Sequence, residues 1–510
     1  MYSTVMTSML DGIHAVFIRV EVDISTGMPV FDMVGYLSSE LREAKERVRT
    51  ALHNCGIALP AKRITVNLSP ANIRKTGTGF DLPIAVALLV SLGIIEKESC
   101  EGILFTGELN LNGDLLPVRG MLPMVSDGAK NGISKFIVPA DNRREAGLVK
   151  NVSTYGFSSL LEVIRYLQTS EYREPEHELE KRPIMKKSCD FSEVNGQKFL
   201  KRAAEVAASG MHNMLMIGPP GAGKTMISER MATILPPLTE KEQMEVSKIY
   251  SINGLMMEKD SLLTDRPFRN PHHTISSVGL AGGGNPIRPG EISLAHHGVL
   301  FLDELTEFSK QTLEILRQPL EEREIHLSRA CGNVSYPSDF LLLASMNPCN
   351  CGYYPDMQRC RCTPAVLKRY FGRISQPLID RIDLCVEAQT ISYEELTGNM
   401  ENESSESIRE RVVMCQEIQL YRYRQEDFCH NSRIPAYRLA EFCRLDDKEL
   451  HYMENIYRKM SLTARTYHKI LRVARTIADM RRSEKIQLRD LNEAVCYRSI
   501  DGNLWGGADE

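Results

Sequence analysis

The sequence lacks the features of a protein that enters or crosses a membrane. Its longest apolar stretch, Leu82–Ile95, is shorter than the roughly 20 residues of a membrane-spanning helix and indicates a buried helix instead. The first residues, Met1–Asp23, have no basic region ahead of an apolar core, so we expect no secretory signal. These absences predict a cytoplasmic protein with no membrane partner.

An excess of positive charge is also absent. The 62 lysines and arginines are outnumbered by 66 aspartates and glutamates, which gives a formal net charge of −4. Overall charge therefore does not draw the protein to nucleic acid, and any contact with DNA requires a local patch or a pore formed by several subunits. Tandem repeats and low-complexity tracts are absent too, and the length of 510 residues predicts two to four domains.

Cysteine, in contrast, is plentiful, and part of it is clustered. Because no export signal is expected, the 13 cysteines are predicted to be reduced thiols rather than disulfides. Four of them follow the spacing C-x-C-x8-C-x-C, at Cys349, Cys351, Cys360 and Cys362. Four thiolates so close in sequence suit a structural Zn²⁺ ion with no open coordination position, whereas free thiols or a redox role are the alternatives.

Composition and pattern divide the chain into four segments. Residues 1–167 mix short strands with helices, and residues 168–188 form a charged, proline-containing linker. Residues 189–395 alternate apolar runs with helical stretches, as in a parallel α/β sheet. Residues 396–510 have helical patterns throughout.

A phosphate-binding motif opens the α/β segment. The run GPPGAGKT, Gly218–Thr225, fits the P-loop pattern between the apolar run Met214–Ile217 and a helix-compatible stretch. Its backbone N–H groups are expected to bind phosphates, Lys224 to reach the β- and γ-phosphates, and Thr225 to bind Mg²⁺. A chance glycine-rich turn is the alternative, which the strand and helix context disfavours. The predicted ATP-binding residues are Gly218, Pro219, Pro220, Gly221, Ala222, Gly223, Lys224 and Thr225.

Two further apolar runs end in polar residues that suit ATP hydrolysis. Val299–Leu302 is followed by Asp303, a predicted Mg²⁺ ligand, and by Glu304, which can polarise the attacking water. The third run ends in Asn347, which either orients that water or caps a turn. The order of the three runs favours the first interpretation of Asn347.

At this point several longer strings resemble a known family. They are PHHTISSVGLAGGG (Pro271–Gly284), PGEISLAHHGVLFLDE (Pro289–Glu304), MNPCNCG (Met346–Gly352) and LIDRIDL (Leu378–Leu384). Together with the three strands, they are similar to the ComM/YifB group of magnesium-chelatase-like AAA+ ATPases, over nearly the whole chain. The resemblance implies a hexameric ring with ATP bound between subunits.

The resemblance also gives two arginines a role. Arg381 falls on the family's arginine finger, which reaches the γ-phosphate of the neighbouring subunit, and Arg465 falls at the sensor-2 position of the helical lid. The implied catalytic set is therefore Glu304, Asn347, Arg381 and Arg465. Without the resemblance, each arginine is interpreted as one member of a surface ion pair.

The N-terminal segment resembles the proteolytic domain of Lon-type proteases, in the form found in ChlI-type proteins. The similarity runs through Val66–Leu89, Gly107–Val125 and Lys135–Asn142. The serine and lysine of that family's catalytic dyad fall on Gly79 and Leu122, neither of which can perform the chemistry. The resemblance thus implies a domain without peptidase activity, with a scaffolding or DNA-guiding role.

The implied fold class is an α/β multi-domain protein. Its parts are an N-terminal Lon-protease-like, S5-like α+β domain, a central AAA+ P-loop parallel sheet and a C-terminal helical lid. Lys75, which is off register for the protease dyad, is expected at the surface.

Two groups of basic residues stay open to interpretation. The adjacent histidines form two pairs, His272-His273 and His296-His297. As neighbours in a strand, the two members of a pair would point to opposite faces and would rarely bind one ion, so both pairs are expected to be structural or coupled to the nucleotide. Arg266, Arg269 and Arg288 lie in or near a Gly- and Pro-rich insert, and Arg329 lies in a second candidate segment, Glu322–Phe340, which is predicted to form two strands with a turn. They either contact DNA phosphates or brace the fold.

The resemblance leads to a hypothesis for function. ComM-like proteins are linked to branch migration of recombination intermediates, which predicts an ATP-driven ring that moves single-stranded or branched DNA in transformation or repair. A chelatase-type motor subunit that remodels a protein partner during metal insertion is the alternative. A non-enzymatic scaffold is disfavoured because Lys224, Asp303, Glu304 and Arg381 are all present.

Overall fold

The structure is a computed structural model that describes residues 1–173, 189–257, 261–329, 332–390 and 402–498. Most of the predicted linker lies outside these residues, as does the predicted boundary between residues 395 and 396. The described strands are β1 (Tyr2–Asp11), β2 (His14–Ser25), β3 (Val30–Val34), β4 (Arg63–Ser69), β5 (Ile103–Phe105), β6 (Glu108–Leu109), β7 (Leu115–Leu116), β8 (Lys135–Pro139), β9 (Ser153–Phe157), β10 (Met214–Ile217), β11 (Phe268–Arg269), β12 (Gly282–Gly283), β13 (Arg288–Pro289), β14 (Val299–Leu302), β15 (Glu324–Arg329), β16 (Gly332–Pro337), β17 (Leu341–Met346) and β18 (Leu384–Glu387).

Helices are found in every part of the described chain. They are α1 (Ser39–Asn54), α2 (Asp81–Ser91), α3 (Met121–Lys130), α4 (Arg143–Ala146), α5 (Leu160–Thr169), α6 (Lys198–Gly210), α7 (Lys224–Ile234), α8 (Glu240–Ile252), α9 (Ser277–Ala281), α10 (Glu291–Leu294), α11 (Lys310–Ile315), α12 (Arg317–Glu322), α13 (Pro364–Phe371), α14 (Gln376–Ile379), α15 (Ser405–Arg422), α16 (Leu439–Phe442), α17 (Asp447–Lys459), α18 (Ala464–Met480) and α19 (Leu488–Cys496). None of these helices combines the length and the apolar character needed to cross a bilayer.

The N-terminal part is built on a mixed sheet of seven strands in the order β3-β4-β2-β1-β5-β8-β9. β2 runs antiparallel to both β1 and β4, whereas β5, β8 and β9 pair in parallel. The apolar stretch that begins at Leu82 forms α2, which is buried along nearly its whole length, as its composition predicts. This arrangement confirms the predicted α+β fold.

The central part contains a parallel sheet of five strands in the order β11-β14-β17-β10-β18. In β10, Met214 and Met216 face one apolar cluster and Leu215 and Ile217 face another, so both faces of the sheet are covered. Continuous apolar strands are expected where a parallel sheet is buried on both sides. Because the strands are parallel, their carboxyl ends share one edge, and there the polar residues that follow β10, β14 and β17 meet.

The C-terminal part is helical, as the sequence predicts. Ile408 of α15 and Ile470 and Ile477 of α18 belong to the same apolar cluster as Ala203 and Val206 of α6. The helices therefore pack directly on one face of the central α/β part.

The N-terminal part docks on α8 of the central part through polar contacts. Lys248 Nζ lies 2.7 Å from Asp127 Oδ1, and both side chains are largely buried. Ser251 Oγ donates to Glu145 Oε1, and the Ser251 carbonyl accepts a hydrogen bond of 3.0 Å from the N–H of Gly120. These contacts connect α8 to α3 and α4.

Candidate functional site

The loop between β10 and α7 forms an open cradle. Gly221 and Gly223 have φ angles of 79° and 80°, a backbone region that favours glycine. A Cβ atom added at either position would meet no described atom within 4 Å, so this side of the loop is free to approach a ligand. Backbone N–H groups at the start of α7 give this cradle the chemistry of a phosphate site.

Lys224, the first residue of α7, lies at the centre of this cradle. Its Nζ donates to the carbonyl oxygens of Gly218 and Pro219 at 2.6 and 2.9 Å. A third contact, of 3.3 Å, joins Nζ to Asn347 Oδ1. Burial lowers the pKa of Lys224, and the carboxylates of Asp303 and Glu304 act in the opposite direction.

Asp303 follows β14 and faces the P-loop helix. The Thr225 hydroxyl donates to Asp303 Oδ2 at 2.9 Å, and the Glu304 N–H donates to Oδ1 at 3.0 Å. Ser345 Oγ also donates to Oδ1. A hydroxyl and a carboxylate so placed fit a Mg²⁺ ion, which prefers oxygen ligands.

Ser345 is a site residue that the sequence reasoning missed. It lies on β17 two positions before Asn347, and residues two apart on a strand share a face. That spacing was the available signal, because β17 is the neighbour of β14, so Ser345 faces Asp303, the residue that follows β14.

Glu304 lies at the rim of the site, where water has access. Its side chain is 57% exposed, and its Oε2 lies 3.5 Å from His273 Nδ1. The backbone of Glu304 has a φ of 52°, a left-handed conformation that is strained for a glutamate. Strain of this kind is found where the surrounding structure fixes a functional residue.

Asn347 is held from behind by a residue that the sequence did not indicate. Tyr370 of α13 donates its hydroxyl to the Asn347 carbonyl at 2.9 Å and accepts from Thr306 Oγ1 at 3.1 Å. Thus the segment that follows Glu304 and the segment that follows β17 are tied together. The ends of β10, β14 and β17 bring Lys224, Asp303 and Asn347 to one place.

Arg381 and Arg465 lie at the opposite edge of the sheet. The Arg381 carbonyl accepts a hydrogen bond of 3.0 Å from Asn213, the residue before β10, so Arg381 lies at the amino ends of the strands. The four residues of β10 separate that edge from the P-loop by about 13 Å. Arg381 pairs with Glu321, and Arg465 lies 3.3 Å from Asp380 with its side chain 67% exposed. The predicted catalytic residues therefore form two separate groups.

The strand geometry expected for the two histidine pairs is wrong, whereas nothing contradicts a structural role for them. His272 and His273 follow β11 and lie outside the described strands, with ring centroids 4.1 Å apart. His296 and His297 lie in the turn between α10 and β14, where His297 has a φ of 55°. Their rings lie side by side with centroids 3.8 Å apart and planes tilted by 39°, instead of facing opposite ways. Both face Glu245, at 3.6 Å from His296 Nε2 and 2.9 Å from His297 Nε2. Because His296 Nδ1 accepts from the Asp339 N–H at 3.0 Å, Nε2 of the neutral ring carries the proton. The ligand atoms of Glu245, His296 and His297 lie within 4.8 Å of one another, but a nitrogen that carries a proton does not bind a metal, which disfavours a metal site here.

Two of the four arginines considered for DNA contact brace the fold, and the side chain of Arg329 lies outside the described part of the chain. Arg266 donates to the His297 carbonyl at 2.7 Å and is largely buried. Arg269 makes a bidentate pair with Glu291, at 2.6 and 2.7 Å. Arg288 is exposed on β13.

The region that resembles a protease is closed at the positions of the missing dyad. A Cβ at Gly79 would lie 2.8 Å from Thr106 Oγ1, and the N–H of Leu122 donates to Glu145 Oε1 at 3.1 Å. Lys75, expected at the surface, is fully buried and donates to the Pro70 carbonyl. Its burial follows from its backbone, which bridges to the segment after β3 through Lys75 N to Tyr36 O at 2.8 Å.

The four clustered cysteines converge in space. Their Sγ atoms all lie within 4.8 Å of one another. The fold therefore brings the four predicted zinc ligands together, and Gly352, next to Cys351, packs against Pro220 of the P-loop.

Models of three protein families match consecutive parts of the chain. "Subunit ChlI of Mg-chelatase" matches residues 20–142, "Magnesium chelatase, subunit ChlI" matches 190–396, and "Magnesium chelatase, subunit ChlI C-terminal" matches 402–498.

Similar proteins occur in several bacteria. The chain is 39% identical to "Competence protein ComM" of Haemophilus influenzae over 497 residues, which covers 96% of each chain. It is 40% identical to YifB of Escherichia coli over 506 residues, which covers 98% of this chain and 97% of that one. A shorter stretch of 98 residues, 18% of this chain and 12% of the relative, is 35% identical to Lon protease 2 of Borreliella burgdorferi. The chain thus belongs to the ComM/YifB family of magnesium-chelatase-like AAA+ proteins, a membership that implies the use of ATP and Mg²⁺.

Proposed function

We propose that the protein is an ATP-hydrolysing, hexameric ring motor that acts on DNA, as a helicase or branch-migration enzyme. One observation carries the proposal, namely the division of the site between two edges of one sheet. Glu304 and Asn347 lie with the P-loop, whereas Arg381 lies at the far edge. A head-to-tail ring places the arginine edge of one subunit against the phosphates of the next.

In this ring, each residue has a separate task. The P-loop and Lys224 bind the phosphates, and Thr225 and Asp303 are positioned to hold Mg²⁺, which neutralises phosphate charge. Glu304 polarises the attacking water at the exposed rim. Arg381, and Arg465 beside it, supply positive charge to the neighbour's nucleotide, so that hydrolysis requires assembly.

DNA is the proposed substrate because a relative that matches almost the whole chain is named a competence protein. Since the net charge is −4, contact with the phosphate backbone must come from local basic groups. Arg288, exposed on the small β12–β13 hairpin, is a suitable group for such a contact.

The test is an ATPase assay with and without single-stranded, duplex and branched DNA. We expect DNA to stimulate the wild-type rate, and Glu304→Gln to lower kcat by about 100-fold or more while ATP still binds. Glu417→Gln, an exposed glutamate on α15, is the matched control and should retain the wild-type rate. A rate that no DNA changes would exclude the DNA motor, and full activity of Glu304→Gln would exclude the proposed site.

A chelatase-type motor that remodels a protein partner is the second candidate. The observation that favours it is the match of all three parts of the chain to chelatase-subunit models. An assembled, active ATPase whose rate is unchanged by single-stranded, duplex and branched DNA would support this candidate over the DNA motor.

Three further properties belong to the proposal. We propose the domain division 1–167, 168–188, 189–395 and 396–510, which the separate family matches support. The N-terminal domain is proposed to lack peptidase activity, since Gly79 and Leu122 occupy the dyad positions, and ATP-stimulated casein degradation would contradict this. The four cysteines are proposed to bind structural Zn²⁺ in the cytoplasm, where thiols stay reduced.

A further inference from the structure

We infer that the four-cysteine cluster is a zinc brace for the nucleotide site, so that ATP binding depends on the metal. The inference rests on the proposed zinc occupancy and adds a positioning role to it. The zinc brace consists of the thiols of Cys349, Cys351, Cys360 and Cys362 and the ion that they bind.

The sulfur positions fit one tetrahedral ion. The Sγ separations are 3.8 Å for Cys349–Cys360 and 3.6 Å for both Cys351–Cys360 and Cys351–Cys362. Zn–S bonds of about 2.3 Å in a tetrahedron require separations of about 3.8 Å. The Cys349–Cys351 pair is somewhat closer, at 3.2 Å, and the Tyr354 N–H donates to Cys349 Sγ at 3.4 Å.

The first half of the cluster touches the P-loop. Gly352, next to Cys351, has a φ of 84°, and a Cβ added there would lie 3.0 Å from Pro220 Cδ. Its backbone therefore packs closely against the loop that is predicted to bind phosphate. A shift of this turn would remove the packing contact of Gly352 with Pro220 of the P-loop.

Both ends of the cluster also hold Asn347. Pro348 alone separates Asn347 from Cys349 at one end. At the other end, α13 begins two residues after Cys362 and presents Tyr370, whose hydroxyl binds the Asn347 carbonyl at 2.9 Å. The two chain segments that leave the metal thus converge on the residue whose Oδ1 contacts Lys224.

The segment between the two cysteine pairs has no regular structure of its own. From Cys349 to Thr363 the described backbone consists of turns and irregular chain, without a helix or strand. A metal that joins the two pairs closes this loop and supplies the order that secondary structure does not. Removal of the ion is therefore expected to loosen Asn347 and the P-loop together.

The first experiment compares Cys351→Ser/Cys362→Ser with Cys55→Ser, a cysteine of the N-terminal part outside the cluster. Zinc per subunit is measured by elemental analysis, ATP affinity with a fluorescent ATP analogue, and folding by thermal unfolding. We expect the double variant to lose zinc and to bind the analogue about tenfold more weakly, whereas Cys55→Ser keeps both properties.

The second experiment keeps all four thiols and tests the contact with Pro220. Gly352→Ala should retain zinc but weaken analogue binding, because the new Cβ presses on the P-loop. Gly132→Ala is the matched control, since Gly132 has a similar φ of 82° and an added Cβ there would meet no described atom within 4 Å.

The outcomes separate the two proposals. Wild-type protein without zinc would overturn zinc occupancy, and with it the brace. If the folded double variant loses zinc but binds the ATP analogue as tightly as the wild type, the positioning role of the brace is overturned while zinc occupancy stands. If the double variant does not fold, the Gly352→Ala variant provides the test. An affinity of Gly352→Ala for the ATP analogue equal to that of Gly132→Ala would then overturn the brace. In each case the DNA response of the wild type tests the motor separately.

Discussion

Asp303 shows how much of the site depends on single hydrogen bonds. Its two carboxylate oxygens accept from Thr225, Ser345 and the backbone of Glu304. Thr225 and Asp303 could be predicted from the sequence because P-loop spacing and an acidic pair after an apolar run are local patterns. Ser345 and Tyr370 could not be predicted in the same way, since their roles depend on which strands and helices become neighbours.

At the residue scale, we predict that Ser345→Ala lowers kcat several-fold and raises the Mg²⁺ concentration needed for half-maximal rate. The carboxylate loses a hydrogen bond to a charged acceptor, worth about 2 kcal/mol, and becomes free to turn away from the metal position. Steady-state ATPase assays at varied Mg²⁺ measure both quantities. Ser8→Ala is the control, because Ser8 is buried and its hydroxyl has no partner among the described residues. Equal Mg²⁺ dependence in the two variants would contradict the role of Ser345.

At the scale of elements, the turn between α10 and β14 differs most from its prediction. The alternation of side chains in a strand does not apply there, because His297 adopts a left-handed backbone before β14 begins. The strands themselves, β10, β14 and β17, could be predicted because each is an apolar run, interrupted only by Ser345 in β17. A left-handed backbone conformation at a residue other than glycine leaves no such pattern in the sequence. The contact of both histidines with Glu245 could therefore be seen only in the structure.

This turn predicts a loss of stability in mild acid. Burial lowers the pKa of His296, although Glu245 and Asp339 act against that shift. Its contribution to the free energy of unfolding is complete above the ordinary histidine pKa of about 6.5 and falls as the pH drops below that value, because the unfolded chain binds the proton more readily.

The measurement is Tm between about pH 7.5 and about pH 5.5, a range that spans the ordinary histidine pKa. His296→Asn keeps an acceptor for the Asp339 N–H and should lose less stability on acidification than the wild type. His53→Asn, on the exposed side of α1, should behave like the wild type. If Tm of the His296→Asn variant depends on pH as strongly as that of the wild type, His296 is not the source of the loss of stability in acid.

At the scale of the whole molecule, the separation of Arg381 from the P-loop predicts complementation between inactive subunits. Lys224→Ala and Arg381→Ala should each abolish ATPase activity in a uniform ring. In a mixture, an Arg381→Ala subunit keeps its P-loop and receives Arg381 from a Lys224→Ala neighbour. Random assembly of equal amounts should restore about a quarter of the sites.

The mixed sample is compared with each single variant at the same total concentration. Arg458→Ala, an exposed arginine paired only with Glu454 among the described residues, should stay active alone and serves as the control. No recovery in rings that are shown to exchange subunits would mean that Arg381 does not act on a neighbour.

The fold of each part could be predicted at this scale, but their attachment could not. The parallel sheet of the central part is predicted by the alternation of apolar runs and helical stretches, and the helical pattern of the C-terminal part is local. Asp127 and Lys248 look like ordinary charged surface residues in the sequence, although they form a largely buried ion pair. Such long-range pairs leave no trace in local spacing.

Helix α8 contacts the N-terminal part near one end and the histidine turn before β14 near the other. At one end, Lys248 and Ser251 bind the N-terminal part. Toward the other end, Glu242 and Glu245 bind the histidine turn that leads into β14 and Asp303. A movement of the histidine turn would therefore reach Asp127 and Glu145 of the N-terminal part through a single helix.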